Sequence, residues 1–420
     1  MDKFVVEGQQ VLSGSVTISG AKNAVLPIMA ASLLWPERYI LHNVPYLRDT
    51  LTMARLMEII GARVTFKHNR LELDTTTCNN PEAPYELVKT MRASFYVLGP
   101  LAARFDRCRV SLPGGCNWGP RPVDLHLKAM ELLGADISLE GGYIITKGKL
   151  KGATINFDVS SVGATGNALM AAVLAEGESV LTNAAQEPEI TALARFLQKM
   201  GAQIEGIGTS TLRISGQKAL RGVEEEIVPD RIEAATFLIA GAMAGDKVKV
   251  EGACEEHLRS VLGKLELAGV QLKLLDGVIE VSRPASIRPV DIATAPYPGY
   301  PTDLQAQWIA FMTQAGGSSV VQDNIYRDRF AHVPELARLG ARIKLEGNVA
   351  TVRGPTELIG APVMSTDIRA SASLVLAALV ARGTSEISRV YHIDRGYETF
   401  EKKFAGLGAH IERVRGEPQV

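Results

Sequence analysis

A Gly-Ala or Gly-Val pair closes an apolar helical pattern six times along the chain, each time ahead of an alternating, strand-like stretch: IIGARV, LLGADI, KMGAQI, LAGVQL, RLGARI and GLGAHI. The glycines are Gly61, Gly134, Gly201, Gly269, Gly340 and Gly408, at intervals of 67 to 73 residues. A period of this kind means one supersecondary unit repeated, whose apolar faces are buried against neighbouring units. Glycine suits the end of a helix, where the backbone turns left-handed. The stretches after it alternate about a turn as hairpins do. Each unit also holds a second helix, apolar nearly all round (NAVLPIMAASLL, ASFYVLGPLAA, GATGNALMAAVLA, EAATFLIAGAMA, LQAQWIAFMTQA, ASASLVLAALVA). A helix without a polar face has to lie inside its domain. The expected unit is therefore helix, strand, helix, hairpin, in an α/β domain with helices inside and sheet outside. The sixth unit stops after AHIERV, short of its second hairpin strand, whereas Phe4 to Val6 and Val16 to Ile18 are strands with no unit before them. Pairing the termini completes the sixth unit. A division three and three then assigns the first ~20 residues to the carboxy-terminal half, and the chain crosses between halves twice.

Composition removes other classes of answer. With 46% hydrophobic and 22% charged residues in 420, the chain is neither disordered nor fibrous. The 45 Lys and Arg against 46 Asp and Glu leave no broad basic face for nucleic acid, so any anion site must be concentrated. Met1-Asp2-Lys3 runs straight into a strand without a secretory apolar region, and Ala370 to Ala381 is too short to span a bilayer. A cytoplasmic location and no membrane are expected. Cys78, Cys108, Cys116 and Cys254 form no CxxC pair and the histidines no HxxxH, so neither a metal nor a disulfide framework is expected. GxxxxGK[ST] and a helix-opening GxGxxG are also missing, which removes the ordinary nucleotide loops.

The chemistry collects at one place in the repeat, just before the apolar helices: Lys22-Asn23, Arg92, Ser161-Val162-Gly163, Asp230-Arg231, Thr302-Asp303 and Asp367-Ile368-Arg369. Asp, Ser and Thr are ordinary helix caps there, Asp230 above all. Lys22, Arg92 and Arg369 are not, because a cation opposes the helix dipole unless an anion is also present. Helix amides and cations together make an anion site. A second signal is the loop SLPGGCNWGPRPVDLH (111 to 126), whose Gly and Pro forbid a helix and favour a movable segment. Cys116 at its middle, near Arg121, has the setting of a reactive thiol, whereas Cys78, Cys108 and Cys254 read as structural. His126 and His392 read as packed or surface histidines.

SGAKNAVLPI (19 to 28), VKTMRAS (88 to 94), the loop 111 to 126, SSVGATGN (160 to 167), EPEI (187 to 190), PDRIEA (229 to 234), YPTDLQAQ (300 to 307), RFAHVPEL (329 to 336), TDIRASASLV (366 to 375) and YHIDRGYE (391 to 398) resemble the UDP-N-acetylglucosamine 1-carboxyvinyltransferases, a family of enolpyruvyl transferases of peptidoglycan synthesis. The resemblance runs from Met1 to about Arg415. It implies two inside-out α/β barrels of three units each, 22–229 with a catalytic loop at 111–122, and 1–21 plus 230–420, with the active site in the cleft between them. It also implies the substrates phosphoenolpyruvate and UDP-N-acetylglucosamine, no cofactor and no obligate protein partner. Carried over by position, Lys22, Arg121 and Arg395 meet the phosphate and carboxylate of phosphoenolpyruvate with Asn23 beside them. Cys116 is the proton donor and Asp303 takes the proton of the sugar 3'-hydroxyl. Arg92, Arg329 and Asp367 position substrates, with Arg369 in support, while Arg121, Pro122, Val123, Asp124, Leu125, Ser161, Val162, Gly163 and Ile325 line the nucleotide-sugar site. The chain departs from the family at Val159, where many members have a lysine, and at Trp118, where a smaller aliphatic residue is common. The sibling reaction on shikimate 3-phosphate is the nearest alternative, and the thiol loop speaks against it. A non-catalytic repeat protein is the other, and it has no need of Cys116, Lys22, Arg121 and Arg395 together.

Overall fold

The computed structural model describes residues 2–112 and 123–416. The chain divides into two compact units, Gly20–Val228, and Met1–Ser19 together with Pro229–Val420. Among the described residues six four-stranded sheets follow one plan. In one of them Thr154–Asn156 runs parallel to Glu178–Thr182, which pairs antiparallel with Thr211–Ser215, itself in a hairpin with Gln203–Glu205. The short parallel strand is missing from the unit read from the sequence. Segments such as Glu82–Ala83 and Ile292–Ala293 are too brief for an alternation to show.

The order of the strands closes each unit on itself. Glu224–Glu226 lies parallel to Arg38–His42, so the end of the Gly20–Val228 unit completes its first sheet. In the other unit Leu12–Thr17 does the same for Gly245–Glu251. Lys3–Glu7 fills the place between Thr384–Ser388 and Ile411–Val414, which supplies the missing strand of the sixth repeat.

The apolar helices form the two cores. Lys22–Ala31, Leu98–Phe105 and Val162–Leu174 serve one unit. Arg231–Ala244, Gln305–Met312 and Ala370–Val380 serve the other. Every residue from Ala370 to Leu379 is buried, as an all-round apolar helix requires. Two of these helices are shorter than the apolar pattern suggests. Their first turns wind more tightly, as 3-10 segments over Arg92–Val97 and Thr302–Leu304. All six repeat glycines have positive φ, from 91° at Gly134 and Gly408 to 111° at Gly201, the conformation in which a Cβ costs about 1–2 kcal/mol.

One buried amide ties the first unit together. A Cβ on Gly99 would come 2.4 Å from the backbone oxygen of Asn167, so glycine permits this close approach. The Asn167 Oδ1 accepts from the Gly99 amide at 2.8 Å. Its Nδ2 donates to the Phe95 carbonyl at 3.1 Å and to His126 Nδ1 at 2.9 Å. Asn167→Ala strands these partners and is expected to lower the unfolding free energy by about 2–4 kcal/mol. Urea unfolding reads this; a loss below about 1 kcal/mol would mean that water replaces the amide.

Candidate active site

The helix-start residues are built as their types dictate, but several carry a second partner. Asp230 caps Arg231–Ala244 by accepting from the amides of Ile232 (2.8 Å) and Glu233 (3.1 Å). Asp367 accepts from the amides of Arg369 (2.8 Å) and Ala370 (3.1 Å). Ser161 Oγ accepts from the Ala164 amide at 3.4 Å. Lys22 opens its helix and is buried, with Nζ 3.1 Å from Asp49 Oδ2. A carboxylate from the next helix, Arg48–Ile60, thus already offsets the Lys22 charge at the positive end of the helix dipole. Asp49 had no motif to mark it: an acid in the first turn of a helix is ordinary.

In the Gly20–Val228 unit, His126 brings two of the expected residues to one place. A Cβ on Gly163 would lie 2.9 Å from His126 Cε1, so only glycine leaves room for the ring. Burial first, and then the Arg92 charge, push the His126 pKa down to about 4. The imidazole is neutral, and accepts at Nδ1 from Asn167. Val123 and Leu125 pack on the core of this unit, while Asp124 is exposed at the start of Asp124–Leu132. Asn23, Val162 and Gly163 are half-buried, and Val159 is exposed. Cys116, Trp118, Arg121 and Pro122 lie outside the described residues.

The other unit assembles a charged cluster around Asp303. Arg329 Nη1 donates to Asp303 Oδ1 at 2.6 Å, and Arg369 Nε stands 3.8 Å from its Oδ2. Arg329 also lies 3.9 Å from Asp367, and Arg369 3.3 Å from Asp230. Both arginines are buried, at 8% and 3% side-chain exposure, whereas the Asp303 side chain keeps 26%. The carboxylate is the reachable member of the cluster. Burial opposes the charge on both guanidinium groups, yet Asp303 and Asp367 for Arg329, and Asp230 for Arg369, outweigh it and hold the pKa values above the ordinary one. Burial raises the Asp367 carboxyl, with Arg329 pulling the other way. Thr302, next to Asp303, donates to the fully buried Asp323 at 2.7 Å. Asp323 also accepts from the Ile325 amide at 2.9 Å, so Ile325 is tied to the same place. Arg395 ends the 3-10 segment Val390–Arg395, next to Gly396, whose carbonyl accepts from Arg369 at 3.3 Å. Asp323 stands in no pattern that a local rule recognises, and Tyr397 lies within YHIDRGYE without a role of its own in the sequence.

His332 lies beside Arg329, fully buried, with neither ring nitrogen hydrogen-bonded among the described residues. Burial and then the Arg329 charge push its pKa down to about 3 from 6.5. The folded protein thus keeps His332 neutral while the unfolded chain protonates it below pH 6.5. Its contribution is complete above that pH and is lost as pH falls towards 3, by up to about 2 kcal/mol at pH 5. The thermal midpoint is expected to drop from pH 7 to about 5, and to drop less in His332→Gln. Equal slopes in the two proteins would remove His332 as the cause. Among the described residues no cluster of three or more His, Cys, Asp or Glu could hold a metal, and no helix is long and apolar enough to cross a membrane.

Known proteins resemble the chain over nearly its whole length. A family profile described as EPSP synthase (3-phosphoshikimate 1-carboxyvinyltransferase) matches residues 6–404. The chain is 56% identical over 417 residues to the UDP-N-acetylglucosamine 1-carboxyvinyltransferase of Chlorobaculum parvum, covering 98% of each chain. It is 55% identical over 416 residues to the protein of that name from Geotalea uraniireducens, covering 99% of this chain and 100% of the other. Among solved structures, the enolpyruvyl transferase NikO from Streptomyces tendae superposes with a TM-score of 0.90 at 25% identity over 99% of both chains. An EPSP synthase from Acinetobacter baumannii, at 18% identity and a TM-score of 0.77 over 99% of this chain and 100% of its own, shares the fold. The chain belongs to the EPSP synthase family of enolpyruvyl transferases.

Proposed function

We propose that this chain transfers the enolpyruvyl group of phosphoenolpyruvate to the 3'-hydroxyl of UDP-N-acetylglucosamine, with release of phosphate, as the first committed step of peptidoglycan synthesis. The observation that carries the reading is Asp303: a partly exposed carboxylate at a helix start, held by Arg329 and Arg369, in a chain 55–56% identical to carboxyvinyltransferases of that acceptor. A carboxylate so placed can take the proton of a hydroxyl as it attacks.

The reaction is addition and elimination. Cys116 protonates C3 of phosphoenolpyruvate, which makes C2 electrophilic. The sugar 3'-oxygen bonds to C2 as Asp303 takes its proton. A C3 proton then passes to solvent water as the C2–O bond breaks, and inorganic phosphate departs with the bonding pair. A positioned acid and base each contribute roughly 10²–10⁴ in rate. Lys22, Arg121 and Arg395 clamp the phosphate and carboxylate of phosphoenolpyruvate, with Asn23 beside them, and the clamp supplies orientation and charge stabilisation. When phosphate binds, Lys22 shares its charge between the ligand and Asp49. Arg92, Arg329 and Asp367 position the substrates, and Arg121 to Leu125, Ser161 to Gly163 and Ile325 hold the nucleotide sugar. The substrates are cytoplasmic small molecules, and no cofactor or obligate protein partner enters the scheme.

Incubation of the pure protein with phosphoenolpyruvate and each acceptor tests the reading through phosphate release. Release with UDP-N-acetylglucosamine and not with shikimate 3-phosphate supports it. Release with shikimate 3-phosphate alone, or with neither, overturns it.

A further inference from the structure

Three polar side chains meet inside the core of the unit formed by Met1–Ser19 and Pro229–Val420. They are Thr236 of helix Arg231–Ala244, Gln307 of helix Gln305–Met312, and Tyr397 just after the Val390–Arg395 segment, none more than 2% exposed. The Tyr397 hydroxyl is 3.0 Å from Thr236 Oγ1, and Gln307 Nε2 donates to both oxygens, at 3.2 and 3.3 Å. Thr236 spends its own proton on the Ile232 carbonyl at 2.8 Å. The Tyr397 hydroxyl must therefore donate to Thr236 and accept from Gln307, an arrangement that holds the phenol at one place and one rotation. Packing alone does not account for Gln307: an apolar side chain of its size would fill the space, and its Oε1 has no hydrogen-bond partner among the described residues.

What the trio holds is a ring with a cation on it. The Arg369 guanidinium carbon lies 4.9 Å from the centroid of the Tyr397 ring. Its Nη1 donates to the Gly396 carbonyl and its Nη2 to Asp230, each at 3.3 Å. Arg369 is also a hydrogen-bond partner of the Tyr397 hydroxyl, and its Nε is the atom 3.8 Å from Asp303. We infer that Tyr397 is a positioning residue for the transfer reaction: fixed by Thr236 and Gln307, its ring and hydroxyl set Arg369, which together with Arg329 sets the Asp303 carboxylate. The inference rests on the reading of Asp303 as the base.

Among the described residues Arg329 and Arg369 face Asp303 directly, with Asp367 and Asp323 behind the first and Asp230 behind the second. A looser Arg369 withdraws positive charge, so the Asp303 pKa rises. Tyr397→Phe, which keeps the ring and loses the hydroxyl that Thr236, Gln307 and Arg369 share, is expected to lower kcat about 10-fold with KM within about twofold. The acid limb of its kcat–pH profile moves to higher pH. Gln307→Leu acts in the same direction, and the double variant is no slower than the slower single one, since both break one chain of contacts. Circular dichroism and the thermal midpoint confirm that each variant folds. Wild-type kcat and acid limb in folded Tyr397→Phe, or a raised KM with kcat unchanged, overturn the inference. A crystal structure of Tyr397→Phe separates it from the reading it rests on: Arg369 unmoved overturns it, and Arg369 displaced supports it, even if Asp303→Asn keeps full activity and the assignment of the base fails.

Discussion

Asp303→Asn is expected to cut kcat by roughly 10²-fold or more while KM for both substrates stays within a few-fold. The amide has the shape of the carboxylate and keeps an oxygen for Arg329 Nη1, now at 2.6 Å, so the position of the side chain survives. What is lost is the capacity to take a proton from the attacking hydroxyl. The exchange also leaves two buried guanidinium groups with less negative charge opposite them, so the thermal midpoint should be recorded alongside. Steady-state kinetics with either substrate varied separate the outcomes. Full kcat would reduce Asp303 to an ion-pair partner of Arg329 and take it out of the chemistry.

Cys116→Ser is expected to lose most turnover, because a serine hydroxyl is too weak an acid to protonate an enol ether, whereas Cys116→Asp retains a proton donor and should stay active. An epoxide phosphonate such as fosfomycin, a mimic of phosphoenolpyruvate, should inactivate the wild-type enzyme: the thiolate attacks an epoxide carbon, the C–O bond opens, and the oxygen takes up a proton. The other thiols are poor competitors. Cys78 and Cys108 are buried, and burial pushes their pKa values up to about 11 and about 12, so both are protonated at neutral pH. Cys254 is half-buried at the start of Glu255–Leu267 and is the competitor to watch. Mass spectrometry of the treated protein locates the adduct. Cys116→Asp should escape inactivation altogether. An adduct on Cys254, or full activity in Cys116→Ser, would sink the assignment of Cys116 as the acid.

Much of the candidate site was legible because its residues occupy one position of a repeat. Lys22, Arg92, Ser161, Asp230, Asp303 and Asp367 all stand where an apolar helix begins, and once six helices had been recognised, six starts followed. Less legible was what each of them faces. Asp49 stands beside Lys22, and Asp230 and Asp303 beside Arg369, so negative charge from within the chain faces both cations.

The division between the two kinds of knowledge follows the range of the forces involved. Helix period, left-handed glycine ends, hairpin alternation and the unpaired terminal strands are written in residues close together in the chain. The sequence alone therefore determined the α/β repeat, the buried helices and the strand Lys3–Glu7 as the missing member of the sixth unit. The partners of buried polar groups are a different matter. Asp49 is 27 residues from Lys22, Gln307 is 90 from Tyr397, and Thr236 is 161 from it. A buried donor or acceptor must find a partner somewhere, but no local pattern says which, because the choice falls to whichever polar atoms the packed helices bring within about 3 Å. Only the tertiary structure decided that Asp303 is held by two arginines and that one of them rests on a tyrosine anchored in the core.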